Sequence, residues 1–234
     1  AARKLYTPIK PWQTRILKLL PGVFSAPLEC HLLTLDLMLF GGAVLHDSQE
    51  LISYEALSYV WGSPDCTQPL FCNGQVYPIT VNLSCALRYL RLVSEPRYLW
   101  VDAVCINQHD LPEKGVLVSN MFTIYKEARR VVAWLGEPTA DSEAAFRFLS
   151  ASAQDGSSHA DHSEECLLAL SSIYESLKRV YDRPRLRRTW IRQEVYAARS
   201  LVVQCGNPTV DWSDFCSAPD HFLGIARVLE NHGI

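Results

Sequence analysis

The apolar positions of this chain change period several times, and each change marks an element. Arg15-Ile-Leu-Lys-Leu-Leu20 reads as a strand closed by Pro21-Gly22, and residues 28–35 read as a second strand. Tyr54 to Val60 alternates in part, is β-prone, and ends at Trp61-Gly62. From Pro69 to Ile79 two β-prone runs flank Asn73-Gly74, the pair that supplies both φ > 0 positions of a type I′ turn, so a hairpin is expected. Asn82 stands where it can cap a helix whose Leu83, Ala86, Leu87 and Leu90 follow the i, i+3, i+4, i+7 rule.

The densest stretch is Leu99-Trp-Val-Asp-Ala-Val-Cys-Ile-Asn-Gln108. An apolar strand carries one acid, Asp102, and breaks into a polar loop from Cys105 to Asp110. A helix from Glu113 to Arg130 follows, with Leu117, Met121, Ile124, Tyr125 and Ala128 in one stripe, and then a strand from Val131 to Leu135 closed by Gly136. This is one β-loop-α-β unit of a parallel sheet. Ligand sites in such sheets lie where the carboxyl ends of strands meet loops, which puts Asp102, Asn107 and Gln108 among the candidates.

Residues 150–165 form a polar, low-complexity insertion expected to be a mobile surface loop. A helix from about Glu164 to Tyr181 follows, with Cys166, Leu170, Ile173, Tyr174 and Leu177 on one face, and Pro184 stops it. Next come a helix from about Thr189 to Arg199 and a strand from Leu201 to Cys205, before Gly206. Asp211 or Ser213 is placed to cap a final helix. No internal repeat is visible.

Length and composition narrow the class. The 234 residues suit one large domain, and 48% hydrophobic with 20% charged residues describes a globular protein with a sizeable core. A net charge of −3 and a pI near 6.2 make nucleic acid an unlikely main partner. The run from Pro27 to Ala43 is too short, and too interrupted by Glu29, His31 and Asp36, to span a bilayer. The eight cysteines form no CxxC pair and no Cys/His zinc spacing, and the seven histidines show no ligand spacing, so no metal is expected. Reduced, mostly buried thiols in a cytoplasmic protein fit this usage better than disulfides.

After Pro184 the sequence Arg187-Arg-Thr-Trp-Ile-Arg-Gln-Glu194-Val places Ile191, Val195 and Ala198 on a buried stripe, with Trp190 and Glu194 four apart on a neighbouring face. Desolvation by the indole would raise the pKa of Glu194 and the arginines would lower it. The pattern alone leaves two readings open: a functional acid at the edge of the core, or a surface glutamate paired with Arg188 or Arg192.

The chain resembles the fungal heterokaryon incompatibility (HET) domain. The matching residues are Arg15 to Gly22, Tyr54-Glu-Ala-Leu-Ser-Tyr-Val-Trp-Gly62, Thr80-Val-Asn-Leu-Ser-Cys-Ala-Leu87, the 99–108 stretch, Glu113, Met121, Ile124-Tyr125, Trp134-Leu-Gly136 and Trp190-Ile-Arg-Gln-Glu194. Their order and spacing fit over roughly residues 5–215, so the whole of 1–234 is expected to be a single such domain. The family often carries Gln where Leu117 stands here.

HET domains are similar to TIR domains, which implies an α/β fold with a TIR-like, flavodoxin-like parallel sheet flanked by helices. Here it would be extended by N-terminal strands and a hairpin. The strands ending near Ser58-Tyr59, spanning 99–103, spanning 131–135 and spanning 201–205 would be the first four. TIR domains that hydrolyse NAD carry Trp-x-x-x-Glu on the helix after the third strand, and Trp190 to Glu194 matches it in residue type and spacing. The resemblance thus implies a cell-death effector of fungal non-self recognition that hydrolyses NAD with Glu194 as the catalytic residue. NAD enters as substrate and no cofactor is needed. Self-association and an upstream sensor protein or domain are the implied partners. The alternatives are a non-catalytic module that transmits oligomerisation, and an enzyme acting on NADP or a nucleoside.

Binding roles carry paired readings. Ser58 and Gly62 flank a strand end, Gly62 giving backbone room; Tyr59 and Trp61 either stack on a base or pack in the core. Asp102 either binds ribose hydroxyls or caps the loop amides of 104–107. Asn107 and Gln108 either touch substrate or stabilise their loop, Trp190 belongs to the Trp-x-x-x-Glu pattern, and Glu113 is a helix-start acid favoured by the dipole. His159 and His162 read as solvated. The basic residues from Lys178 to Arg192 form a phosphate cradle, a nucleic-acid patch or a charged helix surface.

Overall fold

The computed structural model of the chain describes residues 5–38, 42–45, 51–152, 164–183 and 191–217. In chain order the elements are β1 (Gln13–Leu19), β2 (Glu29–Met38), β3 (Gly42–Leu45), β4 (Glu55–Ser58), β5 (Thr67–Cys72), β6 (Gln75–Thr80), α1 (Val81–Leu90), β7 (Arg97–Trp100) and α2 (Asp102–Cys105). They continue with α3 (Leu111–Ser119), α4 (Met121–Glu127), β8 (Arg130–Trp134), α5 (Ala140–Ser152), α6 (Glu164–Tyr181), α7 (Ile191–Ala197), β9 (Leu201–Gln204) and β10 (Thr209–Asp211). This is a mixed α/β protein whose strands are flanked by helices. Two compact units divide the chain, one built from Ala1–Trp134 and Thr189–Leu201 and the other from Leu135–Arg188 and Val202–Ile234.

In the first unit the sheet runs β8-β4-β7-β1-β2-β5-β6, with β3 paired to β2. Strands β7, β4 and β8 are parallel neighbours, with Ala56 opposite both Trp100 and Val131. Second-first-third is the order in which doubly wound sheets reverse direction and open a crevice at their carboxyl ends. The N-terminal extension continues the same sheet antiparallel: β1 lies between β7 and β2, pairing Leu17 with Leu99 and with Leu32. The expected parallel sheet is therefore parallel in β7-β4-β8 and at the short β2-β5 junction, and antiparallel in β1-β7, β1-β2, β2-β3 and β5-β6.

The core follows from the apolar periodicity. Ile16, Leu17, Leu57, Leu99, Trp100, Val131 and Val132 are buried on the strands, and Leu83, Ala86, Leu87 and Leu90 on α1. Tyr125 of α4 meets Trp100 edge-on at 5.5 Å, and the Tyr54 hydroxyl donates to the Ile124 carbonyl at 2.6 Å, so α4 is fixed on the sheet at both points. At the β5–β6 turn Asn73 and Gly74 have φ of 50° and 77°, as the hairpin reading requires.

Several local expectations change. Thr80, not Asn82, caps α1, its Oγ1 accepting from the Leu83 amide at 3.4 Å. The strand expected through Ala103 ends at Trp100, and Asp102 opens the short helix α2 instead. The helix expected from Glu113 to Arg130 is two helices that break at Asn120, whose side chain donates to the distant Pro11 carbonyl at 2.8 Å. Among the described side chains of 194–198, Ala197 is buried, while Val195 and Ala198 are half-buried. The α5 helix takes in residues 150–152 of the expected insertion loop, and 153–163, with His159 and His162, lie outside the described residues.

The second unit pairs α5 with α6, burying Phe146, Leu149, Leu167, Leu177 and Val180. Thr139 and Ser142 close the start of α5 reciprocally, each side-chain oxygen accepting from the other residue's amide at 3.2 and 2.8 Å. Arg183 donates to the Leu135 and Glu137 carbonyls at 3.0 and 3.1 Å. No helix among the described residues is long and apolar enough to cross a membrane.

Candidate functional site

Strand β4 leaves the sheet at Ser58 and passes through Tyr59 and Val60 to Trp61 and Gly62, where φ reaches +81°. The Trp61 indole N–H donates to Oδ2 of Asp102 at 2.8 Å. Oδ1 of Asp102 accepts from the Ala103 amide at 2.7 Å. One carboxylate thus joins the loops after two neighbouring parallel strands. The amide it caps is that of Ala103, not those of 104–107.

Tyr59 is buried, whereas Trp61 is 37% exposed. Burial first, and then the Asp102 carboxylate beside it, push the Tyr59 phenol well above its ordinary pKa, so it stays protonated. Trp61 is the aromatic of this pair that presents a ring to solvent, and it does not pack beneath the hairpin. Ser58 is buried under the turn. Asn82, at the start of α1, donates to the Val60 carbonyl at 2.5 Å and accepts from the Trp134 indole at 3.1 Å, so it ties the turn to the carboxyl end of β8. Periodicity could not reveal that Asn82 and Trp134 join this cluster, because each reads locally as helix start or core.

The loop after α2 is held by its own side chains. Gln108 Nε2 donates to the Asp102 carbonyl at 2.9 Å, and Asn107 Oδ1 accepts from the His109 amide at 3.2 Å. Both residues are engaged in shaping the loop. Tyr6 and Tyr77 donate to the Val104 and Ala103 carbonyls at 3.1 and 3.2 Å. Asp110 caps α3 through the Glu113 amide at 3.0 Å. Glu113 does more than favour the helix dipole: it forms a bidentate pair with buried Arg15 at 2.7 and 2.8 Å and accepts from the Asn107 amide at 3.0 Å. Cavities of about 310 and 250 Å³ open beside this network, the larger lined by Tyr6, Thr7, Asn107, Asp110 and Glu113.

Glu194 lies on α7, which packs on α4. The residue is half-buried and one carboxylate oxygen is shut off from solvent. The far end of α7 is fixed at the amino end of β8, where the Val131 amide donates to the Ser200 carbonyl at 2.8 Å and Arg199 pairs with Glu127 at 3.0 Å. Glu194 precedes Arg199 by five residues, more than one helical turn of ~5 Å rise. Phe122 of α4 and Tyr196 of α7, 47% and 85% exposed, have ring centres 6.5 Å apart. Trp190 and Arg185 to Arg188 lie outside the described residues. The structure brings Ser58, Tyr59, Trp61, Gly62, Asp102 and Gln108 into one cluster, with Asn107 on its loop, and carries Glu194 on a separate helix. Among the described residues no group of three or more His, Cys, Asp or Glu side chains is placed to hold a metal ion.

No solved structure matches the chain. Heterokaryon incompatibility protein 6, OR allele, from Neurospora crassa is 38% identical over 130 residues, which are 48% of this chain and 19% of that protein. The chain thus spans only a small part of this relative's length. The family model described as heterokaryon incompatibility protein (HET) matches residues 54–194, from the strand that carries Glu55 to Glu194 itself. The chain belongs to the heterokaryon incompatibility (HET) family.

Proposed function

We propose that this HET domain is a cell-death effector of fungal non-self recognition that hydrolyses NAD to nicotinamide and ADP-ribose. The observation that carries the reading is Glu194: a carboxylate four residues after Trp190, half withdrawn from water, on the helix that leads into β9. In NAD the nicotinamide is already a cationic leaving group and departs neutral, so the pair of carboxylates used by ordinary glycosidases is unnecessary. Positive charge develops on the ribose as the C1′–N bond lengthens. A partly dehydrated carboxylate facing that ribose stabilises the charge more in the transition state than in the ground state. Trp61 supplies a ring for stacking and Asp102 an acceptor for ribose hydroxyls. Asn107 and Gln108 act by holding the loop. The TIR-like order β7-β4-β8 supports a crevice at this edge.

The second reading is a non-catalytic module whose self-association passes a signal from an upstream sensor. The exposed Phe122 and Tyr196, whose rings meet between α4 and α7, favour a contact surface on these helices. Incubating the purified protein with NAD over a concentration series, with NADP in parallel, and measuring nicotinamide separates the two. Nicotinamide release that is lost in Glu194→Gln supports the hydrolase; none at any concentration supports the signalling module.

A further inference from the structure

Cys30 of β2 and Cys72 of β5 face each other in direct register across a parallel strand pair. Adjacent strands lie about 4.8 Å apart, within the Cα separation that a disulfide spans. Both thiols are buried, at 2% and 0% exposure. Their mutual interaction pushes the Cys30 thiol up, with burial adding to the rise, and draws the Cys72 thiol down against the effect of its own burial.

The pair sits at a junction. β5 meets β2 through two register pairs, Glu29 with Phe71 and Cys30 with Cys72, reinforced by the Phe71 and Asn73 amides donating to the Leu28 and Cys30 carbonyls at 2.9 and 3.0 Å. Beyond β5 there is only β6, the last strand of the sheet path. The β5–β6 hairpin is thus attached to the sheet by a short parallel seam with two thiols in its middle. The same hairpin bears Tyr77, whose hydroxyl donates to the Ala103 carbonyl beside Asp102.

We propose that Cys30 and Cys72 are a reversible disulfide-forming pair, oxidised by a peroxide, that staples the β5–β6 hairpin to β2. The Cys72 thiolate attacks one peroxide oxygen, breaking the O–O bond and leaving a sulfenic acid and water once the released hydroxide takes up a proton. The Cys30 sulfur then attacks the Cys72 sulfur, expelling a second water. Two thiols are oxidised and hydrogen peroxide is reduced to two waters. Peroxide reaches the buried pair when the edge hairpin opens locally, the kind of motion expected of a short terminal seam. Because the bridge fixes a hairpin that rests on α2, the redox state of the pair sets how firmly the loop of Asp102 is backed.

The test uses the whole chain, treated with a small excess of hydrogen peroxide, alkylated and digested without reduction. The expected product is a peptide pair joining Cys30 to Cys72, lighter by two hydrogens and restored by dithiothreitol. The linkage forms equally in the Cys66→Ser/Cys216→Ser variant, which lacks the two thiols exposed among the described residues. Amide exchange over 71–76 slows about tenfold in the oxidised protein. The proposal is overturned if Cys30 and Cys72 both stay alkylatable after unfolding while Cys66 or Cys216 takes the oxidant. Linkage of either one to Cys105, the next nearest buried thiol, overturns it equally.

Discussion

The indole N–H of Trp61 lies 2.8 Å from Oδ2 of Asp102, and this one bond couples the loop after β4 to the first residue of α2. Trp61→Phe removes the donor and keeps a ring. The expected stability loss in urea denaturation is about 0.5–1.5 kcal/mol, the usual net worth of one hydrogen bond. NAD cleavage is expected to fall further than that small loss of fold explains. An unchanged rate of nicotinamide release would take Trp61 out of the site.

Glu194→Gln keeps the size and shape of the side chain and removes its charge. The circular dichroism spectrum and melting temperature are expected to stay near wild type, with NAD turnover lowered by roughly two to three orders of magnitude, the scale of losing one preorganised electrostatic partner. Turnover at the wild-type rate would leave Glu194 as a structural acid.

Glu55 is 1% exposed and meets Arg97 and Arg129, at 2.5 and 2.9 Å, and Arg130. Burial raises its carboxyl pKa, but the three guanidinium groups more than offset this and hold it below the ordinary value. A depressed folded-state pKa adds stability above the unfolded-state value, near 4.5. That stability is lost as pH falls from there through the folded-state value. Glu55→Gln is expected to cost about 1.5–3 kcal/mol at neutral pH, the scale of hydrogen bonds to a charged group, since Arg129 and Arg130 reach solvent and are not stranded. Its urea midpoint should then vary less with pH below 4.5 than that of the wild type. Parallel pH profiles for the two proteins would refute this.

Arg15 and Glu113 form a buried bidentate pair between β1 and the start of α3. Arg15→Met strands the Glu113 carboxylate, with an expected loss of about 3–5 kcal/mol. The double variant Arg15→Met/Glu113→Leu should recover a measurable part of it, because neither charge is then left alone. Chemical denaturation of the single and double variants measures the coupling, and additive losses would show that the two residues act independently.

Two glycines predict a ranking. At Gly62 a Cβ would meet only Asn82, at 3.5 Å, so Gly62→Ala carries the conformational penalty of a left-handed backbone, about 1–2 kcal/mol. At Gly206 a Cβ would lie 2.7 Å from Pro138, adding a steric clash to the same kind of penalty. Gly206→Ala is expected to lower the melting temperature more than Gly62→Ala. The reverse order would mean that Pro138 gives way freely.

Local chemistry made the hairpin and α1 legible, since Asn73-Gly74 fixes a turn and four leucine and alanine positions fix a helical face. The errors came where distant partners decide. Asn82 has the residue type of a cap, yet its amide is taken by Val60 and Trp134 from other elements, and Thr80 caps instead. The break at Asn120 is tied to Pro11, far along the chain. Glu55 drew no attention in sequence because its three arginines are remote from it in the chain, and Arg15 looked like an ordinary strand residue until Glu113 was found beside it. Asp102 stood out in sequence as a candidate because an acid follows an apolar strand where it breaks into a loop. Its partner Trp61 stood out as an aromatic at a strand end, but their contact is tertiary and left no pattern.

The strand that ends the first unit's sheet limits how copies of this domain can meet. β6 carries Pro78, opposite Pro69 of β5. A proline has no amide hydrogen to offer an incoming strand, so backbone-to-backbone zippering along that border is interrupted at its middle. β7, which would lie open in a bare three-strand core, is already covered by β1. A strand added along β6 would find no amide hydrogen at Pro78, so this border resists edge-to-edge growth of the sheet.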